Sequence, residues 1–261
     1  MVDKTLSWDA ELYQNSSSLQ FELGLMGIKK LNPKGSEKIL EIGCGNAMLT
    51  IELAKKNPNG IITAIEISEE MISKAKFNIS KTDFSNIKLI HGNALQIDFE
   101  NEFDAIFSNS AIHWIKNLEL MYEKIYNALK QNGRIMIQTG LRSINSLVKT
   151  IYKLVSLKKY RNDLSDFKSP WRYLTTEQNY DLLQSLNFRD INIEEYNHLM
   201  KYDEEEIMLN YFKSAALVPF LTILPNELKA EFVEDFREIY LTYNENRLEV
   251  EMKRLFIGAK K

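Results

Sequence analysis

The stretch at residues 39–50, ILEIGCGNAMLT, decides the fold. An apolar run ends there in a short polar segment that contains two glycines, and a helical pattern follows the segment. This order of strand, loop and helix is typical of proteins that bind a nucleotide. The residues on either side of the two glycines decide which nucleotide is expected.

Short β-rich runs alternate with helical patterns from residue 38 to residue 139. Strands are predicted at 38–42, 60–67, 87–91, 103–108 and 133–138, with helices between them at 48–56, 69–79 and 118–129. Alternation of this kind indicates βαβ units on a parallel sheet. We therefore predict an α/β protein.

The regular alternation of strand and helix patterns ends at residue 140. Helix is predicted over 141–186 with a break at Ser169-Pro170, and over 203–245 with interruptions at Pro219 and Pro225; strands are predicted at 188–196 and 249–259. Because helices and strands interleave, we expect one structural domain in three parts. These parts are an N-terminal helical lid (1–30), a ligand-binding core (31–140), and later strands with an inserted helical cap (141–261).

Composition excludes several classes of function. The net charge of −3 gives no electrostatic argument for binding of nucleic acid, which would favour a basic patch. Cys44 is the only cysteine, so an intrachain disulfide is impossible and no metal site is expected. No run approaches the roughly 18 apolar residues of a membrane span, and the N-terminal residues lack the apolar core of a signal peptide, so a cytoplasmic location is predicted. The sequence does not decide between monomer and dimer.

The loop itself does not fit a phosphate-binding motif. It lacks the Gly-Lys-Ser/Thr ending of a P-loop, and Met48 stands where a dinucleotide fingerprint has its third glycine. Glu41, just before the loop, would repel a pyrophosphate, since like charges about 4–6 Å apart cost a few kcal/mol. A ligand with cationic groups suits this acid better. S-adenosylmethionine carries an ammonium and a sulfonium and has no phosphate.

Four segments carry a family resemblance. Residues 41–47 (EIGCGNA), 64–68 (AIEIS) and 91–94 (HGNA) resemble the motif series of class I S-adenosylmethionine-dependent methyltransferases. Residues 103–114 (FDAIFSNSAIHW) resemble the fourth motif of the branch with trans-aconitate, malonyl-carrier-protein and juvenile hormone acid O-methyltransferases. The resemblance implies a doubly wound, Rossmann-like fold: a mostly parallel seven-stranded sheet with an antiparallel last strand, and a helical cap.

The same resemblance implies a cofactor site. Glu66 falls 21 residues after Gly45 and would accept both ribose hydroxyls. Asn93 stands where the family has an aspartate, and its amide oxygen would accept the adenine amino group beside Ala94. Cys44 is interpreted as an inert small residue. The implied cofactor-binding residues are Glu41, Gly43, Cys44, Gly45, Glu66, Ile67, Asn93, Ala94, Ser108 and Asn109.

The family resemblance implies fewer residues on the side of the site that binds the methyl acceptor. Tyr13 and Gln20 match a helix that covers the active site in several members of the family. Together with His113 and Trp114, they would face the methyl acceptor. In the cap, the substrate-contacting residues are expected to be Trp171, Arg172 and Tyr211, with Arg172 pairing with an acidic substrate.

We therefore interpret the chain as a methyltransferase for a small-molecule or carrier-bound acceptor, with O-methylation of a carboxylate as the working hypothesis. A carboxylate arrives ionised at neutral pH and requires no general base. Two alternatives stay open. A phenol, amine or carbon acceptor would use His113 as its base, or the chain would bind S-adenosylmethionine without catalysis.

Overall fold

The computed structural model describes residues 18–214 and 216–261. Within them, seven strands form one sheet in the order β3-β2-β1-β4-β5-β7-β6. The strands are β1 (Lys38–Ile42), β2 (Ile61–Glu66), β3 (Ile87–His91), β4 (Phe103–Asn109), β5 (Leu129–Gly140), β6 (Arg189–Lys201) and β7 (Glu249–Lys260). Strands β1 to β5 pair in parallel, and β7 pairs antiparallel with β5. The predicted fold class is confirmed.

Helices connect the strands of the described residues. They are α1 (Ser18–Leu31), α2 (Met48–Lys56), α3 (Glu69–Ser80), α4 (Leu118–Ala128), α5 (Ser146–Val155), α6 (Thr176–Ser185), α7 (Glu205–Ser214), α8 (Val218–Ile223) and α9 (Asn226–Tyr243). Side-chain caps explain why α3 and α4 begin where the sequence predicts. The Ser68 hydroxyl accepts from the Met71 N–H at 3.3 Å, and the Asn117 amide oxygen accepts from the Leu120 N–H at 3.0 Å.

A hydrophobic core fixes the central strands. Leu40 of β1, Ile106 of β4 and Ile135 of β5 are neighbours in register and are buried. They belong to one cluster with Met121 and Ile125 of α4. Because β1 and β4 are adjacent in the sheet but not in the chain, their carboxyl ends form the edge at which ligands bind in open α/β sheets.

The described residues fall into two compact units. The sheet unit comprises Ser18–Leu141, Trp171–Tyr196 and Arg254–Lys261. The helical unit comprises Arg142–Pro170 and Asn197–Lys253. Two of the four divisions fall within β6 and β7, and the other two lie outside the helices and strands. The prediction of one structural domain, with a lid and a cap over the site, stays a prediction.

The helical unit has an aromatic core of its own. Its fully buried aromatic side chains are Tyr160, Phe212, Phe220, Phe232, Phe236 and Tyr240. Their rings meet in edge-to-face and tilted pairs, with Phe212 and Phe236 at a centroid distance of 4.9 Å. The Tyr160 hydroxyl donates to the Asp235 carboxylate at 2.6 Å, so the polar end of a buried ring is satisfied.

The later half corrects three predictions of secondary structure. Helix was predicted over 141–186, but residues 156–175 lie outside any helix, because Ser, Asn and Asp side chains favour turns there. Pro219 does not interrupt a helix; it stands in the first turn of α8, where its missing N–H costs nothing. Strand β5 begins at Leu129 rather than at residue 133, because Leu129 already pairs with Phe103 across a register shift.

Candidate active site

Backbone geometry shapes the loop between β1 and α2. Gly43 and Gly45 adopt φ values of +75° and +53°, which favour glycine. The N–H groups of Gly43 and Cys44 donate to the Ile65 carbonyl at 2.8 and 3.1 Å, which ties the loop to β2. A Cβ on Gly43 would lie 2.2 Å from the Ala111 Cβ, whereas nothing lies within 4 Å of a Cβ on Gly45. The backbone at Gly45 is thus open to a ligand.

Glu66 closes the loop from the end of β2. One carboxylate oxygen accepts from the Gly45 N–H at 3.0 Å, and the other accepts from the Ile67 and Ser68 N–H groups at 2.9 Å each. These bonds hold the carboxylate at the carboxyl ends of β1 and β2. A carboxylate has about four acceptor positions, so capacity for a ligand hydroxyl remains.

Glu41 is a buried acid at the end of β1. Its side chain is 1% exposed, and its carboxylate accepts from the Thr50 hydroxyl of α2 at 2.6 Å. Burial raises the pKa of Glu41 to about 7; the nearby Glu66 carboxylate acts in the same direction, and the Thr50 bond opposes both. None of the described residues forms an ion pair with Glu41. The site therefore offers a buried negative charge to a cation.

This raised pKa predicts how stability depends on pH. The folded protein binds a proton at Glu41 more tightly than the unfolded chain does, so the free energy of unfolding falls as pH rises from about 4.5 to about 7. We expect Glu41→Gln to remove that fall and to gain on the order of 2–3 kcal/mol relative to the wild type between these limits. Urea unfolding of the ligand-free proteins at both pH values measures it. Glu123→Gln, at an exposed acid of α4, is the control; equal slopes for all three proteins would contradict the prediction.

The end of β3 carries the predicted adenine residues. The Asn93 amide oxygen, predicted to accept from adenine, here accepts from the Leu95 N–H at 2.9 Å and caps a short 3₁₀ turn, Ala94–Gln96. Its second lone pair remains for a ligand. Ile67 is 54% exposed at the end of β2. The role of these residues stays a prediction.

The end of β4 is tied to β1 and α1. The buried Ser108 hydroxyl donates to the Ile42 carbonyl at 2.9 Å, and the Asn109 amide donates to the Gln20 carbonyl at 3.0 Å. Beyond the strand, the Ser110 hydroxyl donates to the Gln138 amide oxygen of β5 at 2.8 Å. These bonds bring together Ser108, Asn109 and Gln20, three of the residues that the sequence assigned to the site.

His113 is enclosed just after β4. It is 4% exposed, its Nδ1 lies 3.1 Å from the Thr139 hydroxyl, and its ring centroid lies 4.9 Å from that of Tyr173. Burial, with a smaller contribution from the positive charge of Arg254, lowers the pKa of His113 to about 3. The imidazole is therefore neutral at physiological pH and is a poor acceptor of protons. Its neighbour Trp114 pairs with Trp171 at a centroid distance of 5.6 Å.

Arg172 and Tyr211, which the sequence assigned to the substrate, already contact other residues of the protein. The Arg172 guanidinium forms an ion pair with Glu119, using both terminal nitrogens, and also donates to the Lys116 carbonyl at 3.0 Å. Its charge is thus already compensated, which gives no support to pairing with an acidic substrate. Tyr211, in the helical unit, is buried and donates to the Met252 sulfur at 2.9 Å. Tyr13 lies outside the described residues.

The sequence missed two residues of this region, Gln138 and Arg254. Both are buried, and each has a side-chain nitrogen without a hydrogen-bond partner. The sequence signal for Gln138 was a polar residue directly after an apolar run, and Arg254 had no such signal, because charged residues precede it in β7. Cys44 is buried, and burial raises the pKa of its thiol, so its predicted inertness has a physical cause.

In the part of the chain that the structure describes, no three His, Cys, Asp or Glu side chains are grouped so that they could hold a metal ion. No helix among the described residues has the length and apolar character needed to span a bilayer.

Comparisons with known proteins agree on one family. A family model described as a methyltransferase domain matches residues 33–202. Juvenile hormone acid O-methyltransferase of Drosophila melanogaster is 24% identical over 251 residues, which cover 90% of this chain and 83% of that protein. Malonyl-[acyl-carrier protein] O-methyltransferase of Priestia megaterium is 37% identical over 101 residues, which cover 39% of this chain and only 36% of that enzyme.

A solved structure shares the fold. Phosphoethanolamine N-methyltransferase 2 of Haemonchus contortus, in complex with phosphomonomethylethanolamine and S-adenosylhomocysteine, superposes with a TM-score of 0.66 at 20% identity. The superposition covers 99% of this chain and 59% of that one. At this identity, the likeness concerns the fold alone.

Proposed function

The chain belongs to the methyltransferase-domain family, whose model spans residues 33–202, and from this membership we propose that it methylates the carboxylate of a small-molecule or carrier-bound acceptor. Its methyl donor is S-adenosylmethionine. The relatives named juvenile hormone acid and malonyl-[acyl-carrier protein] O-methyltransferase support an acidic acceptor. The acceptor side of the site decides between this reaction and its alternatives.

The described residues fit the donor. Gly45 leaves open space for a close backbone approach, and Glu66 has acceptor capacity for a ribose hydroxyl. Glu41 offers a buried negative charge for the ammonium of the methionine part. Asn93 and Ala94 would hold the adenine. When bound, S-adenosylmethionine supplies a methyl group on a positively charged sulfur, which leaves as a neutral thioether.

The enclosed, neutral imidazole of His113 is the observation that favours a carboxylate. A phenol or an amine must lose a proton on methylation, and an imidazole whose pKa is lowered to about 3 accepts that proton poorly. An ionised carboxylate oxygen would attack the methyl carbon directly, with the C–O bond forming as the C–S bond breaks, so no proton would have to move. His113 would then position the acceptor together with Trp114, Gln20 and Tyr13.

A pH–rate profile tests the proposal. With the donor saturating, so that Glu41 is ionised against the donor's ammonium, we expect kcat/KM for a carboxylate acceptor to stay flat within about twofold between pH 6 and pH 9, because neither the acceptor nor His113 titrates there. His113→Gln should lower the rate by no more than about tenfold through lost positioning and keep the profile flat. The acceptor is first found by incubating cell extract with methyl-labelled donor and identifying the products by mass spectrometry.

Two outcomes would contradict this proposal. A rate that rises with pH on a limb that disappears in His113→Gln would indicate a general base, and hence a phenol or amine acceptor. Tight binding of S-adenosylhomocysteine without transfer to any acid, phenol or amine in a broad metabolite panel would indicate a binding protein without catalysis.

A further inference from the structure

Four buried side-chain atoms of the sheet unit have no hydrogen-bond partner. They are Gln20 Oε1, Asn109 Oδ1, Gln138 Nε2 and Arg254 Nε. A buried polar group without a partner costs about 1–3 kcal/mol, so native proteins contain few of them. Four such atoms in one region therefore indicate groups that a ligand satisfies.

Register places these residues next to one another. Asn109 of β4 is the direct neighbour of Gln138 of β5, and Asn109 also donates to the Gln20 backbone. Arg254 of β7 lies opposite Gly140, two residues beyond Gln138 on the same face of β5. Asn109, Gln138 and Arg254 thus share one face of the sheet at the carboxyl ends of β4 and β5, and the backbone of Gln20 contacts Asn109 there.

The four unpartnered atoms form two groups, hydrogen-bond acceptors and hydrogen-bond donors, which lie on different elements. The two on α1 and β4 are oxygens, which accept, whereas Gln138 Nε2 and Arg254 Nε, on β5 and β7, are donors. Arg254 also carries a positive charge and is only 6% exposed. Among the described residues no carboxylate forms an ion pair with it. A buried guanidinium without an anion is costly unless a ligand supplies one.

The position of the donors separates them from the nucleoside of the cofactor. Glu66 ends β2 and Asn93 follows β3, both on one side of the β1–β4 boundary. Strands β5 and β7 lie on the other side. Arg254 is close enough to His113 for its charge to lower the pKa of that imidazole. The donors are therefore on the side where His113 stands.

We propose that Arg254 and Gln138 form an anion-binding site for the methyl acceptor and hold its carboxylate through one oxygen each. This inference rests on the proposed function and names the residues that select the acceptor. The two donors match the two oxygens of a carboxylate, and the guanidinium compensates its charge. Methylation removes that charge, so the ester product loses the interaction that held the substrate, which favours release.

The unpaired charge also predicts an effect on stability. Arg254→Met replaces a buried, unpaired cation by an apolar side chain of similar length, so we expect the Tm of the ligand-free protein to rise. A purely structural arginine would give the opposite result, because its loss would lower Tm. Lys253→Met is the matched control: this neighbouring cation of β7 lies 3.7 Å from Glu251 and is part-exposed.

Binding of a model acid to the protein saturated with S-adenosylhomocysteine tests the site. Octanoate is compared with octanamide by calorimetry. We expect the wild type and Lys253→Met to bind octanoate at least about tenfold more tightly than the amide, since a charged hydrogen bond contributes about 1.5–3 kcal/mol. Arg254→Met and Gln138→Leu should lose most of this preference. Affinity for S-adenosylhomocysteine should stay within about twofold in all four proteins.

Each other outcome has a distinct meaning. A preference for octanoate retained in Arg254→Met, or absent from the wild type, would overturn the anion-binding site. A parallel loss of S-adenosylhomocysteine affinity in Arg254→Met would also overturn it, because Arg254 would then bind the carboxylate of the cofactor. The proposed function could fail while the anion-binding site holds. In that case the wild type would still prefer octanoate through Arg254, but it would methylate only phenols or amines.

Discussion

Replacing Glu66 by alanine should weaken the binding of S-adenosylhomocysteine by about 10- to 100-fold. A hydrogen bond to a charged group contributes about 1.5–3 kcal/mol, and the carboxylate, which already accepts from three backbone N–H groups, has room for about one ribose hydroxyl. The variant also releases the Gly45 N–H, which Glu66 holds at 3.0 Å, so the loop loses a fixed point beside the ligand. Calorimetric titration measures the change in dissociation constant.

Two variants make this result specific. Glu69→Ala removes an exposed acid from the first turn of α3, close in sequence, and should leave the affinity within about twofold. Glu66→Gln keeps one amide oxygen for the backbone donors and should fall between alanine and the wild type. Unchanged affinity in a folded Glu66→Ala protein would refute the ribose assignment and, with it, the interpretation of the loop.

Gly43→Ala should lower the free energy of unfolding by about 3 kcal/mol. Left-handed backbone geometry costs an L-residue about 1–2 kcal/mol, and an added methyl group in a filled space costs about 1–3 kcal/mol. Both apply, because φ is +75° and the new Cβ would lie 2.2 Å from the Ala111 Cβ. Urea unfolding without ligand measures the loss.

Two further variants separate the cost of the backbone conformation from the steric cost of the added methyl group. Gly45→Ala meets the same backbone penalty at φ +53° but no neighbouring atom, so only about 1–2 kcal/mol should be lost. Adding Ala111→Gly to Gly43→Ala should recover the steric part. Additive effects of the two substitutions would show that Ala111 does not limit the space at Gly43.

The sequence predicted the first half of the fold more closely than the second. Strands β1 and β3 and helix α2 have the predicted bounds, because caps, glycines and apolar runs there are local signals. Residues 156–175 are different: their Lys- and Leu-containing pattern suggests helix, but short polar side chains satisfy the backbone in turns. A helix propensity summed over a window of residues does not include this competition between polar side chains and the helix for the backbone hydrogen bonds.

In the candidate site, residues fixed by local sequence signals could be predicted, whereas residues placed by contacts with distant parts of the chain could not. Glu41 and Glu66 could be placed beside the loop because the carboxyl ends of parallel strands meet at one edge. Arg254 could not, since its position depends on the antiparallel register of β7 on β5. The partner of Arg172 was equally hidden: Glu119 stands on α4, far away in the chain. Spacing within a motif does not reveal such contacts.

The buried acid at the end of β1 gives the empty protein a property of its own. With a pKa raised to about 7, Glu41 carries a proton in about half of the molecules near neutrality. In the function proposed above, the ammonium of the donor takes the place of that proton, and departure of the product would admit the proton again. For the protonated half of the molecules, each loading of the pocket would then exchange one positive charge for another.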